Sequence, residues 1–364
     1  MTACASMTRK GHIMSWKEIV HENYTVQLEA PVIYVDNKSR GRSGHMTHAM
    51  AEFAPGCLID FNANCSAVRC GGHSAFGFVE YRISHDSGKT YSEVYELPYS
   101  KDTLMDGVYT ISVEKAVACD DGTIVAFCLR NTTLQEVCCE PWATPMWIRS
   151  TDGGMTWSQP QEYSPYPGRS YDAVYHDGVI YVLHWCYEHF IGEKEEHKYR
   201  IYRSADNGIS FEELCVVPGD TIGRGYGAIQ FDAQGRLHAY AYNVNEETAL
   251  DHAVSDDCGK TWTVLAPCYL AKGIRNPQIG YIDGVYVLHG RAGGVKGFVL
   301  YTSEDATHWD EGCMVVDAPG ISAFYSNNLN LRDEEGNFLL IQYSDPYEGW
   351  GKVNVSHLKL RVKR

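Results

Sequence analysis

The sequence has no run of about 18 apolar residues, the length a helix needs to cross a bilayer. Nothing in it is expected to span a membrane. Residues 1–16 hold no apolar stretch of the signal-peptide kind. Basic charge is also scarce, with 31 Lys and Arg against 46 Asp and Glu, a net of −15. Nucleic acid is therefore not an expected partner, because phosphate binding needs a basic footprint. The basic end, Lys359, Arg361, Lys363 and Arg364, reads as a solvated edge strand.

Several chemical signatures are missing as well. There is no C-x-x-C, no H-E-x-x-H and no G-x-S-x-G. Gly223, Gly225 and Gly227 are not followed by a helical pattern, so they do not form a phosphate cradle. Cys57, Cys65 and Cys70 lack zinc spacing; His184, Cys186 and Glu188 alternate onto one strand face but have no fourth ligand nearby. No metal or cofactor is expected. The 13 cysteines are an odd number, and without a secretory leader they read as reduced, mostly buried thiols of a cytoplasmic protein.

What the sequence does have is a recurring phrase. Ser150, Asp152, Gly154, Thr156 and Trp157 spell S-x-D-x-G-x-T-W. Ser84, Asp86, Gly88, Thr90 and Tyr91 repeat it, as do Ser255, Asp257, Gly259, Thr261 and Trp262. Ser204, Asp206, Gly208, Ser210 and Phe211 form a looser copy, and Ser303, Asp305 and Trp309 a shortened one. Repeats at such spacing mean an architecture of stacked or radial units. Asp and Ser close a tight local turn, Gly supplies backbone freedom, and the aromatic can pack back between sheets.

A strand pattern precedes each phrase, and two more strands precede that one. The expected strands are 47–53, 57–64 and 76–84, then 108–118, 123–130 and 146–150, then 171–176, 179–187 and 199–204. They continue as 226–231, 236–243 and 250–255, then 276–282, 285–291 and 298–303, then 326–331, 337–343 and 352–360. With 25 Tyr and 34 Gly the composition suits strands and turns. The fold expected is all-β, a six-bladed β-propeller of four-stranded antiparallel blades over residues 31–364, with residues 1–30 an arm or a ring-closing strand.

The phrases resemble the Asp boxes of the sialidase superfamily, and the resemblance runs from about Ser43 to the C-terminus. It implies a glycoside hydrolase acting in exo fashion on a terminal acidic sugar, with the boxes structural and the ligand over the central channel on the opposite face. Sialidases hold the sugar carboxylate with three arginines and attack with a Tyr assisted by a Glu, while an Asp serves as acid/base. Phe324-Tyr325-Ser326-Asn327-Asn328 resembles their tyrosine motif, which makes Tyr325 the candidate nucleophile or a channel-lining side chain.

The remaining positions depart from that pattern. Counting back from Ser84, the acid/base Asp falls on His73, and the first arginine falls near Thr47, between His45 and His48, with Arg42 close by. The assisting Glu falls on Tyr226, with Arg224 two residues before it, and the second arginine falls on Tyr242. Arg275 and Arg291 are candidates for the carboxylate, and Arg130 belongs to the same expected ring of cations. Asp172 and Glu188 are the carboxylates expected nearest the opening. The candidate catalytic residues are thus Tyr325, His73, Asp172, Glu188 and His48, and the candidate binding residues Arg42, His45, Arg130, Arg224, Tyr226, Tyr242, Arg275 and Arg291. The expected partner is an anionic carbohydrate. The rearranged set also fits another glycosidase, a His/Tyr-dependent lyase, or a propeller that only binds glycans.

Overall fold

The structure, a computed structural model, describes residues 17–45, 47–71, 74–132, 142–187, 197–321, 323–349 and 351–364, with backbone alone for 67–71 and 74–75. Six antiparallel sheets follow one another in chain order. Blade 1 is built from His48–Ala54, Cys57–Gly71, Ser74–Ser84 and Tyr95–Glu96, with Arg42–Ser43 extending its inner side. Blade 2 is Tyr109–Ala118, Ile124–Thr132, Met146–Ser150 and Gln161–Glu162; blade 3 is Gly168–His176, Val179–Cys186, Tyr199–Ser204 and Glu212–Val217. Blade 4 is Arg224–Phe231, Leu237–Asn243, Ala249–Ser255 and Thr263–Val264; blade 5 is Ile274–Ile282, Val285–Ala292, Gly297–Ser303 and Cys313–Asp317.

Blade 6 joins the two ends of the chain. Ser326–Asp333, Gly336–Glu348 and Lys352–Lys363 are followed in space by Thr25–Leu28 and then Lys17–Val20. Val26 pairs with Val362, and Leu28 with Leu360. The first strand of each blade packs against the first strands of both neighbours, and that of blade 6 returns to that of blade 1. The chain is therefore a closed six-bladed propeller, a solution that leaves few sheet edges open.

Between blades 1 and 2 lies the one helix of the described residues, Pro98–Asp106. Proline at its first turn and Gly107 at φ 77° after its end are ordinary start and stop signals, which the strand pattern on either side obscured.

The Asp boxes connect third to fourth strands and stitch each blade to the one before it. In blade 2, Ser150 Oγ donates to Asp152 Oδ1 at 2.8 Å and accepts from Gly154 N at 2.8 Å; Thr156 N and Oγ1 both donate to Asp152. The carbonyl of Gly154 then accepts the Tyr81 hydroxyl of blade 1 at 2.7 Å, and Trp157 packs on Phe61 and Tyr81. Gly208 of blade 3 does the same for Trp147 of blade 2. At Gly208, φ is 74° and an added Cβ would sit 2.6 Å from Val125, so only glycine fits.

Candidate active site at the hub

Four of the six first strands carry a β-bulge at the same level, and those bulges build the site. In blade 2 the register passes from Phe127↔Lys115 to Cys128↔Val113, which leaves Glu114 as the extra residue. In blade 3 it passes from Ser170↔His184 to Asp172↔Leu183, leaving out Tyr171. In blade 4 Gly225 and Tyr226 stand in the gap, and in blade 5 Asn276 and Pro277. A bulge bends its strand and re-aims the extra side chain. Glu114, Tyr171, Tyr226, Asn276 and Pro277 all line one recess, together with His48, Arg169, Gln278, Tyr325 and Ser326. Its volume is about 40 Å³, enough for a carboxylate group or a few waters.

Tyr325 and Tyr226 meet there, hydroxyl to hydroxyl, at 2.9 Å. Tyr325 is held from behind, since its N–H donates to Ser344 Oγ at 2.9 Å and its carbonyl accepts Ser344 N at 2.8 Å. The preceding Phe324 is fully buried at φ 72°, a strained conformation for a bulky residue of the kind found at functional sites. The Arg169 guanidinium lies 5.2 Å from the Tyr325 ring and 5.7 Å from that of Tyr226. Arg275, from blade 5, lies 5.9 Å from the Tyr226 ring and 5.3 Å from that of Tyr242. Arg275 and Arg291 stand directly opposite each other in the blade 5 ladder. Burial, and then Arg275, push the Arg291 guanidinium down; Arg275 itself is moved up, because the phenols of Tyr226, Tyr242 and Tyr325 and the Glu247 carboxylate outweigh its burial.

Several buried polar atoms of the residues lining the recess have no hydrogen-bond partner among the described residues. These are Glu114 Oε1, Arg169 Nη1, Gln278 Oε1 and both amide atoms of Asn276. Buried polar groups are normally bonded, so a cluster of exceptions around one opening marks a place for a polar ligand or ordered water. Burial pushes the His48 imidazole down to about 4, so it is neutral near pH 7.

The sequence candidates divide by position. Tyr325, Tyr226 and His48 line the recess; His45 packs edge-on against Tyr325 at 5.2 Å; Arg275, Arg291 and Tyr242 lie beside it. Tyr242 donates to Glu247 at 2.6 Å. Asp172 lies beneath, buried, paired with Lys115 at 2.8 Å, and accepting Ile229 N and Ala173 N at 2.9 Å each. Its oxygens are filled from blades 2, 3 and 4, an anchoring arrangement. Arg224 turns away onto Asp251 and lines a separate recess with Tyr199, Val217 and Val264. Arg130 reaches Glu162 on the outermost strand of blade 2 at 2.8 Å, and Arg42 is held by Asn64 at 2.7 Å. His73 and Glu188 lie outside the described residues. Among the described residues no group of three His, Cys, Asp or Glu is placed to hold a metal ion.

Arg169 and Glu114 were not anticipated. Blade 3 starts at Gly168, three residues before the expected 171, so Arg169 fell outside the expected strand. Glu114 is in mid-strand, and a bulge gives no periodic signal.

Comparison with known proteins agrees with this architecture. A model of the BNR/Asp-box repeat matches residues 148–159. No curated protein matches the sequence. Among solved structures, a protein of unknown function from Dyadobacter fermentans superposes with TM-score 0.74 at 15% identity, over 93% of this chain and 99% of that one. The Hadza microbial sialidase Hz136 gives TM-score 0.65 at 14% identity, over 96% of this chain and 74% of that one. Trypanosoma rangeli sialidase, in complex with 2,3-difluorosialic acid as a covalent intermediate, gives 0.58 at 12% identity, over 91% of this chain and 56% of that one. Such identities speak to the fold alone. The chain is a propeller of the sialidase-like class. More particularly, it is an Asp-box propeller whose hub presents a phenol pair among arginines.

Proposed function

We propose that this propeller cleaves a glycosidic bond at a terminal acidic sugar, with Tyr325 as the reacting phenol. The observation that carries the proposal is the Tyr226–Tyr325 hydroxyl pair, 2.9 Å apart, with Arg169 within 6 Å of both rings and Arg275 within 6 Å of Tyr226. A sugar carboxylate above Tyr226 would meet a guanidinium from blade 3 and one from blade 5, and Arg291 opposite Arg275 adds a third positive charge.

In hydrolysis, Tyr325 Oη bonds to the anomeric carbon while the bond to the leaving oxygen breaks, its electron pair stays on that oxygen, and the oxygen takes up a proton from water. The Tyr325 proton passes to the Tyr226 hydroxyl as that group gives its own to water. Water then attacks the glycosyl–tyrosine and the phenol is restored. The guanidiniums around the ring stabilise charge developing on the phenol oxygen. Roles for His73 and Glu188 in proton transfer stay proposals from the sequence.

A second reading is favoured by Tyr226 itself. Where the resemblance expects a Glu, a phenol stands against Tyr325, and two phenols in contact can share base and acid duties in β-elimination from a uronic acid. Incubation with an aryl sialoside, a panel of aryl glycosides and 4-linked uronate oligosaccharides tests both. Release by wild type that Tyr325→Phe loses supports the proposal, and an ultraviolet-absorbing unsaturated product selects elimination. Tight binding of substrates that stay intact, with wild type and Tyr325→Phe alike, refutes it in favour of a glycan-binding propeller.

A further inference from the structure

We propose that Glu114 is the proton donor of the hub, released from Arg169 to act when the substrate's carboxylate takes its place. This rests on the hub being an acidic-sugar site.

Glu114 is the bulge residue of blade 2, and its side chain is only 5% exposed. Arg169 of blade 3 donates from Nε to Glu114 Oε2 at 2.6 Å. The contact is single. Among the described residues Glu114 Oε1 and Arg169 Nη1 have no hydrogen-bond partner, and both residues line the 40 Å³ recess. A guanidinium offers five N–H groups in a fork suited to two carboxylate oxygens. The pair is therefore an ion pair in which each member keeps one polar atom unbonded among the described residues, beside a space the size of one carboxylate. A buried pair that served stability alone would be expected to fill its positions, because desolvation opposes it.

The groups facing Glu114 decide what happens when an anion arrives. Arg169 is the cation in contact with it. Cys128 of the adjacent strand is buried, and burial with Glu114 nearby pushes its thiol up. Tyr171, Tyr226 and Tyr325 surround Arg169 as phenols, and His48 across the recess is neutral. The next residue, Lys115, is taken by Asp172 and Asn327. Burial already pushes the Glu114 carboxyl up, and Arg169 draws it down. A second carboxylate on Arg169 shares that one cation, and two adjacent buried carboxylates cannot both stay ionised. Glu114 then takes a proton from solvent on binding. When the glycosidic C–O bond breaks, its electron pair goes to the leaving oxygen, which takes the proton from Glu114 rather than from water. The Glu114 carboxylate returns to Arg169 as product leaves. A carboxyl made acidic or basic by its occupant is ready to donate only when substrate is present.

Calorimetric titration with sodium glucuronate and sodium N-acetylneuraminate, in two buffers of different ionisation enthalpy at pH 7, reads the proton directly. Wild type should take up about one proton per anion bound. Glu114→Gln should bind the anion and take up none. With a cleavable substrate, that variant should lose about 10²–10⁴-fold in kcat on alkyl leaving groups and little on nitrophenyl ones, which need no protonation. Anion binding by wild type without proton uptake overturns the proposal, even if the variant does not fold. So does equal uptake in Glu114→Gln. If neither anion binds and no acidic sugar is cleaved, the reading of the hub itself has failed and the proton donor falls with it.

Discussion

Tyr226 and Tyr325 are 99 residues apart in the chain and share a hydroxyl–hydroxyl hydrogen bond of 2.9 Å at the hub. The Arg169 guanidinium lies within 6 Å of both rings, so a positive charge stands beside the pair. Tyr325→Phe removes the reacting oxygen and should lower kcat by at least about 10³-fold. Tyr226→Phe removes only the relay and should cost less, about 10-fold to 100-fold. The double variant should be no worse than Tyr325→Phe alone, since the two act as a unit. Single-turnover kinetics with the best substrate of the panel measures all three. Additive losses would show that the hydrogen bond has no functional role.

The two arginines of blade 5 make a different kind of prediction. Arg275 and Arg291 face each other across one ladder rung, and burial plus Arg275 disfavour the charged form of Arg291. A base whose protonated form is disfavoured by folding lowers stability at neutral pH. Arg291→Met should leave the empty protein as stable or stabilise it by about 1 kcal/mol. It should also weaken glucuronate or N-acetylneuraminate binding about 10-fold or more. Urea unfolding with and without the anion separates the effects. A loss of stability without a loss of affinity would make Arg291 a structural residue.

How far the sequence reached is visible in these same residues. The propeller was legible because the Asp box is a local device: a Ser, an Asp, a Gly and a Thr close the turn by bonds spanning no more than four residues. The rule that first-strand starts and second-strand ends approach the channel brought Tyr325, Tyr226, His48 and Arg291 near the hub. It also selected Arg42, Arg130 and Arg224, which satisfy the rule in sequence but turn to Asn64, Glu162 and Asp251. Which way a long side chain turns depends on a partner from another strand, and no local pattern reports that. Glu114, Tyr171, Tyr226 and Asn276 owe their aim to bulges, where one extra residue breaks the two-residue alternation on which strand reading rests.

Asp172 can be assigned by stability. Its carboxylate pairs with Lys115 at 2.8 Å while both are buried, and Lys115 also reaches Asn327 of blade 6. Asp172→Asn should destabilise the fold by about 3–5 kcal/mol, the cost of leaving a buried charge without its partner. Lys115→Met added to it should recover a large part of that loss. Chemical unfolding of the four proteins closes the cycle. If Asp172→Asn instead stays stable and loses only kcat, the carboxylate belongs to the chemistry and the anchoring role is wrong.

The Asp boxes set the response to acid. Their carboxylates accept backbone and hydroxyl donors. In Asp152 the Thr156 hydroxyl and N–H lead, and the carboxyl is lowered from 3.8 to about 2. Asp257 is lowered to about 2 by the N–H and hydroxyl of Thr261. Asp305 reaches about 2 although burial opposes the shift, because His308 and Thr307 donate to it. A carboxyl lowered by folding adds stability above its unfolded value, and that stability is lost as pH falls through the folded value. The propeller should therefore hold its stability down to about pH 4 and lose it progressively towards pH 2. The triple variant Asp152→Asn, Asp257→Asn, Asp305→Asn should be less stable at pH 7 and show a flatter fall across that acid window. Its hub should be unchanged, because the boxes join the outer strands and none of their residues lines the recess. Denaturant midpoints between pH 7 and pH 2, with anion affinity measured at pH 7, test both halves. An equally steep acid fall in the triple variant would shift the cause to other carboxylates, with Glu80 on Arg40 and Asp333 on Arg361 next to examine.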